Sequence, residues 1–135
     1  MPGVDIVLHG NNSDYEVLYG VIASFAERER YSISFTEALQ LTMKEAFVNA
    51  VKHGNHEQKD LTVSFRLIAG DKSLLVSVRD CGTGFDLDAL PDPVDSGNLF
   101  NFSGRGVYII RSIAETVALE RDCDGSTLWL RYIPY

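Results

Sequence analysis

The sequence has few cysteines and no long apolar run. Cys81 and Cys123 are the only cysteines among 135 residues, and they form no CxxC pair, so neither a disulfide framework nor a zinc ribbon is indicated. No stretch approaches the roughly 18 consecutive apolar residues of a membrane span, and the first residues lack the basic and apolar blocks of a signal peptide. We therefore expect a cytoplasmic protein with reduced thiols.

Basic residues are scarce as well. The chain has 12 Lys and Arg against 19 Asp and Glu, which gives a formal net charge of −7. A surface that binds duplex nucleic acid needs clustered Lys and Arg to neutralise phosphates. The charge therefore argues against nucleic acid and favours another protein as the macromolecular partner.

Two further absences narrow the kinds of site. His53 and His56 lie on either side of Gly54 without a cysteine or carboxylate at ligand spacing, so a structural metal site is not indicated. The chain contains no GxxxxGK[ST] segment, and its paired glycines lack the third glycine of a dinucleotide fingerprint. P-loop and Rossmann nucleotide sites are therefore excluded.

The residues that are present predict one globular domain over residues 1–135. Hydrophobic residues make up 45% of the chain and charged residues 23%, which is ordinary for a folded domain. Periodicity and turn residues predict a strand at 4–8, helices at 13–30, 34–54 and 106–116, hairpins formed by 61–69 with 73–79 and by 117–121 with 127–133, and a lid at 87–103. Both long helices start with a capping-box pattern.

This order of elements predicts an α+β fold. Strands that follow one another in hairpins, with helices grouped between them, fit a two-layer α/β sandwich. We expect a mostly antiparallel, mixed sheet with helices on one face, and we do not expect a doubly wound nucleotide fold.

The first candidate site residues are Glu45 and Asn49 on the second helix. They are four residues apart, so they project from one helix face about one turn apart, away from the stripe formed by the residues Leu39, Met43, Ala46 and Ala50. A carboxylate can accept a proton from an attacking hydroxyl, and an amide oxygen is a hard ligand suited to Mg²⁺. The pair taken alone is also typical of a solvated polar face.

The second candidate segment follows the first hairpin. Asp80 ends a predicted strand and precedes Gly82 and Gly84. An aspartate there can accept a hydrogen bond from an exocyclic amine such as that of adenine, and the glycines let the backbone approach a ligand closely. An ordinary glycine turn remains the alternative for this segment.

The third candidate segment is a loop that runs into a helix. Gly104, Arg105 and Gly106 directly precede an apolar segment, so free backbone N–H groups and the positive end of a helix would face a ligand in this loop. Phosphates bind at such places. Arg105 adds a charge-assisted contact in this interpretation, and an exposed surface arginine is the alternative.

Four blocks together resemble the histidine-kinase-like ATPase superfamily, which has the Bergerat ATP-binding fold. The blocks are EAFVNAVKHGN at 45–55, DCGTGF at 80–85, GRGVYII at 104–110 and GST at 125–127. Within this superfamily the short chain and compact lid are similar to the anti-sigma-factor serine/threonine kinases, which act as bacterial partner-switching regulators.

The resemblance implies a set of roles for the candidate residues. It implies that Glu45 is the general base, that Asn49 ligates Mg²⁺, that Asp80 binds the adenine amine and that Thr127 supports this contact through water. It further implies that glycines border the nucleotide and that the arginine segment flanks its phosphates; these residues are Gly82, Gly84, Gly104, Arg105 and Gly106. ATP and Mg²⁺ are the implied cofactors.

The resemblance also implies partners. The substrate would be a serine or threonine of a STAS-domain anti-anti-sigma protein, with a sigma factor or another effector as the competing partner, and homodimerisation is a further expectation. A sensor histidine kinase would need a phospho-accepting histidine on a dimerisation helix, and no histidine occurs between His9 and His53. The alternative from another class is a non-catalytic ATP-binding module that regulates by sequestering its partner.

Overall fold

The described part of the chain forms a five-stranded sheet and two long helices. The computed structural model describes residues 3–55, 61–81, 110 and 112–135. Its elements are β1 (Gly3–Leu8), α1 (Asn12–Arg28), α2 (Ile33–Asn49), a π-helical turn (Ala50–Gly54), β2 (Val63–Ala69), β3 (Leu74–Asp80), β4 (Glu115–Asp122) and β5 (Gly125–Tyr132). Residues 110, 112 and 113 are also helical. The predicted lid at 87–103 lies outside the described residues.

The strands are arranged in the order β1-β2-β3-β5-β4. All four neighbouring pairs are antiparallel, so the sheet is more regular than the mixed arrangement that we expected. Along the central strands, buried residues largely alternate with more exposed ones, because successive side chains point to opposite faces of a sheet. In β3, for example, Val76 and Val78 are buried, whereas Arg79 is only partly buried.

The helices cover one face of this sheet, which we call the inner face. The stripe predicted on α2 is fully buried, with 0% exposure for Leu39, Met43 and Ala46, and it forms one core with apolar residues of α1 and of the strands. Burial of such apolar surface is the main driving force for folding. The predicted two-layer α+β sandwich is therefore confirmed.

The ends of α2 differ from the prediction. The helix starts at Ile33 because Ser32 is its N-cap: its backbone is extended, and its hydroxyl accepts a hydrogen bond from the Phe35 N–H at 3.0 Å. The capping box predicted at Ser34 is therefore wrong by two residues. At the other end, the regular helix stops at Asn49 and continues as the π-helical turn.

The helix predicted at 106–116 ends earlier than expected. Glu115 and Thr116 belong to β4, where they pair with Arg131 and Leu130 of β5. Cross-strand pairing thus overrides the local helical pattern at these two residues. Among the helices that the structure describes, none is long and apolar enough to cross a membrane.

Candidate nucleotide site

Asn49 is the last residue of α2, and its side chain is almost fully buried. The residue is 2% exposed, and its Nδ2 has no hydrogen-bond partner in the described part of the chain. A buried polar group left without a partner costs about 1–3 kcal/mol. The amide is therefore not part of a solvated polar face, and it has the properties of a group whose partner is a ligand.

Glu45 lies one helical turn before Asn49 and is half-buried. Burial raises the pKa of the Glu45 carboxyl above its usual value, and the positive charges of Lys44 and Lys52 partly offset this effect. On α1, Tyr15 lies close enough to Glu45 for the carboxylate to raise the pKa of the phenol, together with burial and Tyr19. The Lys44 ammonium lies 5.2 Å from the centroid of the Tyr15 ring.

Asp80 ends β3 on the inner face of the sheet. It is 3% exposed and pairs with Val63 on one side and Ser126 on the other. The neighbouring strand approaches closely, because a Cβ atom added to Gly125 would lie 2.1 Å from the Asp80 carbonyl oxygen. Only glycine fits at position 125, which explains part of the GST block.

Thr127 does not share a sheet face with Asp80. Directly opposed residues share a face, so Asp80 faces Ser126, whereas Thr127 faces Arg79 on the outer side of the sheet. The Thr127 hydroxyl accepts a hydrogen bond from Arg79 Nη1 at 2.9 Å, and Arg79 Nη2 donates to Asp122 at 3.0 Å. Ser126, which is 1% exposed, is thus the hydroxyl residue opposite Asp80, and the support that Thr127 was expected to give stays a prediction.

One residue that sequence reasoning missed connects the helix end with the strand end. Asn55 follows the π-helical turn, and its side chain bonds the backbone of both Thr62 and Cys81. π-Helical turns are rare and often occur at functional sites. In the sequence, the signal for this link was the position of Asn55 at the end of the block at 45–55. Its hydrogen-bond partners could not be identified without the fold.

The remaining predicted site residues are not described. Gly82, Gly84, Gly104, Arg105 and Gly106 lie outside the described residues, so their expected contacts with nucleotide stay predictions. In the described part, Glu45 and Asn49 lie on α2, and the π-helical turn that follows α2 contacts β3, which ends at Asp80.

The described residues fit an Mg²⁺ ion that is held mainly by the phosphate oxygens of a bound nucleotide. They contain no group of three His, Cys, Asp or Glu that could hold a metal by itself. Mg²⁺ usually takes one or two protein oxygens and completes its shell with phosphate oxygens and water. A single buried amide next to a carboxylate is suited to that mode of binding.

A concave surface lies on the outer face of the sheet, and its lining contains none of Glu45, Asn49 and Asp80. It encloses about 380 Å³ and is lined by residues that include Arg66, Arg79 and Trp129. Both arginines are already paired, Arg66 with Asp5 at 2.7 Å and Arg79 with Asp122. Since its cations are neutralised and it contains no buried unpaired group, we do not assign chemistry to this surface.

Comparison with known proteins shows the family to which the chain belongs. The sequence model of the family described as "Histidine kinase-like ATPase domain" matches residues 11–132. The chain is 28% identical over 118 residues to serine-protein kinase RsbW of Listeria monocytogenes, an alignment that covers 83% of this chain and 75% of the relative. It is 25% identical over 118 residues to serine-protein kinase RsbW of Bacillus subtilis, covering 83% and 74% respectively.

The fold also matches a solved structure. The crystal structure of the RsbU and RsbW domains of a Mycobacterium tuberculosis protein superposes with a TM-score of 0.63 at 16% identity, covering 99% of this chain. The chain spans 33% of the length of that protein's chain. At this identity the likeness shows the fold alone.

Proposed function

Because the chain belongs to the histidine kinase-like ATPase domain family, we propose that it is an Mg·ATP-dependent protein serine/threonine kinase. The observation that carries the proposal is the buried, unpartnered amide of Asn49 one helical turn from the half-buried carboxylate of Glu45. The relatives at 25–28% identity are named serine-protein kinases. In this proposal the chain transfers the terminal phosphoryl group of ATP to a hydroxyl of a partner protein.

Glu45 is the proposed general base. A carboxylate with a raised pKa binds a proton more strongly than an ordinary one, so it is better suited to accept the proton of an attacking serine or threonine hydroxyl. Lys44 and Lys52 limit this rise and so favour the ionised form that a base requires. In phosphoryl transfer, such positioning together with charge stabilisation accounts for most of the catalysis.

Asn49 is the proposed Mg²⁺ ligand. Its Oδ1 is a hard oxygen ligand, and its unpartnered Nδ2 is free among the described residues to donate to a phosphate oxygen. When bound, Mg²⁺ would neutralise the developing charge on the phosphates. The contribution of the protein is to hold the amide in a buried place where water does not compete for it.

Asp80 is the proposed adenine reader, with Ser126 as its supporting hydroxyl in place of Thr127. The Asp80 carboxylate can accept a hydrogen bond from the exocyclic amine of adenine, whereas guanine presents a carbonyl oxygen there and would be repelled. Gly82 and Gly84 are proposed to border the nucleotide. Gly104, Arg105 and Gly106 are proposed to flank its phosphates.

The proposed protein substrate is a STAS-domain anti-anti-sigma protein, with a sigma factor or another effector as the competing partner. This part of the proposal is supported by the sequence resemblance and by the names of the relatives. A kinase of this kind would be a regulator in which phosphorylation of the substrate protein decides which partner the kinase binds.

The test is a transfer assay. The pure protein is incubated with Mg·ATP labelled at the terminal phosphate and a STAS-domain protein from the same genome, alongside Glu45→Gln. We expect label on a serine or threonine of the partner, and transfer that is about 10²–10⁴-fold slower with the variant. ATP binding without transfer to such partners would favour the sequestering module, and equal rates for both proteins would rule out Glu45 as the base.

A further inference from the structure

Asn55 is a buried asparagine whose groups bond three separate segments. It is 2% exposed, and its backbone N–H donates to the Ala50 carbonyl oxygen at 2.8 Å, which closes the π-helical turn. Its Oδ1 accepts a hydrogen bond from the Cys81 N–H at 2.7 Å, and its Nδ2 donates to the Thr62 carbonyl oxygen at 3.0 Å. The residue thus joins the end of the helix to the start of β2 and the end of β3.

The hydrogen bond from Cys81 to Asn55 lies directly after the last residue of the β3 ladder. The ladder of β3 ends at Asp80, so the next N–H group, that of Cys81, has no strand partner. The Asn55 Oδ1 accepts this hydrogen bond in place of a strand carbonyl. Since the N–H of Cys81 directly follows the carbonyl of Asp80, this bond orients the peptide that leaves Asp80 and ties the end of β3 to Asn55.

The side chain at position 55 must both accept and donate. An aspartate of the same size offers an acceptor for Cys81 but no donor for Thr62, and an alanine offers neither. The amide therefore matches its two backbone partners. Asn55 also directly follows the π-helical turn that continues from Asn49, so its side chain links the helix end that carries Asn49 to the strand end that carries Asp80.

We propose that Asn55 is a positioning residue for adenine recognition, which sets the place of Asp80 relative to the helix end that carries Asn49. This inference rests on the proposed function, because it takes Asp80 as the adenine reader. Asn55 acts through Asp80 and does not contact the nucleotide. Loss of its side chain weakens recognition of the base more than recognition of the phosphates, so preference for ATP over GTP falls.

The test compares Asn55→Ala with Tyr132→Phe. The control removes another buried hydrogen bond, between Tyr132 Oη and Thr42 Oγ1 at 2.8 Å, about 20 Å along β5 from Ser126. Dissociation constants for Mg·ATP and Mg·GTP are measured by calorimetry, and melting temperatures by circular dichroism. We expect Asn55→Ala to bind ATP about tenfold more weakly, with GTP changed less than about threefold. Tyr132→Phe should have a lower melting temperature and keep the wild-type ratio of ATP to GTP dissociation constants.

Asn55→Asp separates positioning from stability. It keeps an acceptor for the Cys81 N–H but replaces the donor to Thr62 with a buried carboxyl oxygen that repels the Thr62 carbonyl. We therefore expect a lower melting temperature with an ATP-to-GTP ratio within about threefold of wild type. This variant decides the matter if Asn55→Ala does not fold. A collapsed ratio in Asn55→Asp would overturn the role of the Cys81 bond.

The outcomes distinguish this inference from the proposed function. If the wild-type protein binds neither nucleotide, the proposed function is wrong and the positioning role is wrong with it. If the wild type binds ATP and folded Asn55→Ala keeps the wild-type ratio, only the positioning role is wrong. A ratio that falls equally in Tyr132→Phe would assign the effect to general destabilisation and would also overturn it.

Discussion

Replacing Asn49 with leucine should stabilise the free protein while abolishing its binding of Mg·ATP. The side chain is 2% exposed and its Nδ2 has no partner in the described part of the chain. Leucine has a similar size and buries no polar group. Removal of one unpaired buried donor should therefore stabilise the fold by about 1–3 kcal/mol, and the higher helix propensity of leucine adds a few tenths of a kcal/mol.

Asn55→Leu is the matched control for this prediction. Both asparagines are 2% exposed, but both side-chain groups of Asn55 are hydrogen-bonded. The same replacement therefore leaves the Cys81 N–H unpaired and leaves the Thr62 carbonyl with only the weak Cys81 Sγ donor at 3.5 Å. We expect Asn55→Leu to lose about 2 kcal/mol or more. The two variants should thus move stability in opposite directions.

Urea unfolding followed by circular dichroism measures the change in the free energy of unfolding for both variants. In thermal unfolding, the melting temperature of a chain of this size should rise by roughly 3–5 °C for each kcal/mol gained at Asn49. Calorimetry with Mg·ATP then measures the functional loss. A clear loss of stability in Asn49→Leu would show that the amide is satisfied in the free protein, and would refute the reasoning that reserves it for a ligand.

Three further predictions concern the same site. Glu45→Gln should be at least as stable as wild type at pH 7, because a carboxyl with a folded-state pKa raised by burial loses its stabilising contribution as pH rises through that pKa. Unfolding curves measured between pH 4 and 8 should show wild type losing stability relative to the variant as pH rises. Stability that changes equally with pH in both proteins would contradict the raised pKa. Asp80→Asn should weaken ATP more than GTP in competition binding, and equal losses would remove Asp80 as the adenine reader. Ser126→Ala should lower ATP affinity whereas Thr127→Val should not, and the reverse order would restore Thr127 to the site.

Most of the fold could be predicted because it follows from local periodicity. Runs rich in Val, Leu, Phe and Ile on either side of the turn residues 70–72 predicted β2 and β3 as a hairpin. Residues such as Leu39 and Met43 at helical spacing predicted the buried face of α2. The errors arose where a tertiary contact decides between two local signals. Ser32 and Ser34 both precede helical residues, and only the backbone of the folded chain selects Ser32 as the cap.

The candidate site was predicted less completely, for a comparable reason. Sequence blocks identified Glu45, Asn49 and Asp80, and the resemblance to the histidine-kinase-like ATPases is confirmed by the family match. The sequence singled out Thr127 and not Ser126, because the register between β3 and β5, which places Ser126 opposite Asp80, could not be read from it. Asn55 was missed because its partners, Thr62 and Cys81, come from segments that only the fold brings together.

The most direct test of the central claim is a titration of the ¹⁵N-labelled protein with Mg·ATP, observed at the side-chain amide of Asn49. Its resonances are assigned by their absence from the spectrum of Asn49→Leu. We predict that this NH₂ pair shifts saturably with nucleotide and shifts less with ATP in EDTA, because the amide contacts the Mg²⁺-bound phosphates. An Asn49 amide that does not move while Mg·ATP binds, or a protein that binds no Mg·ATP, would contradict the account.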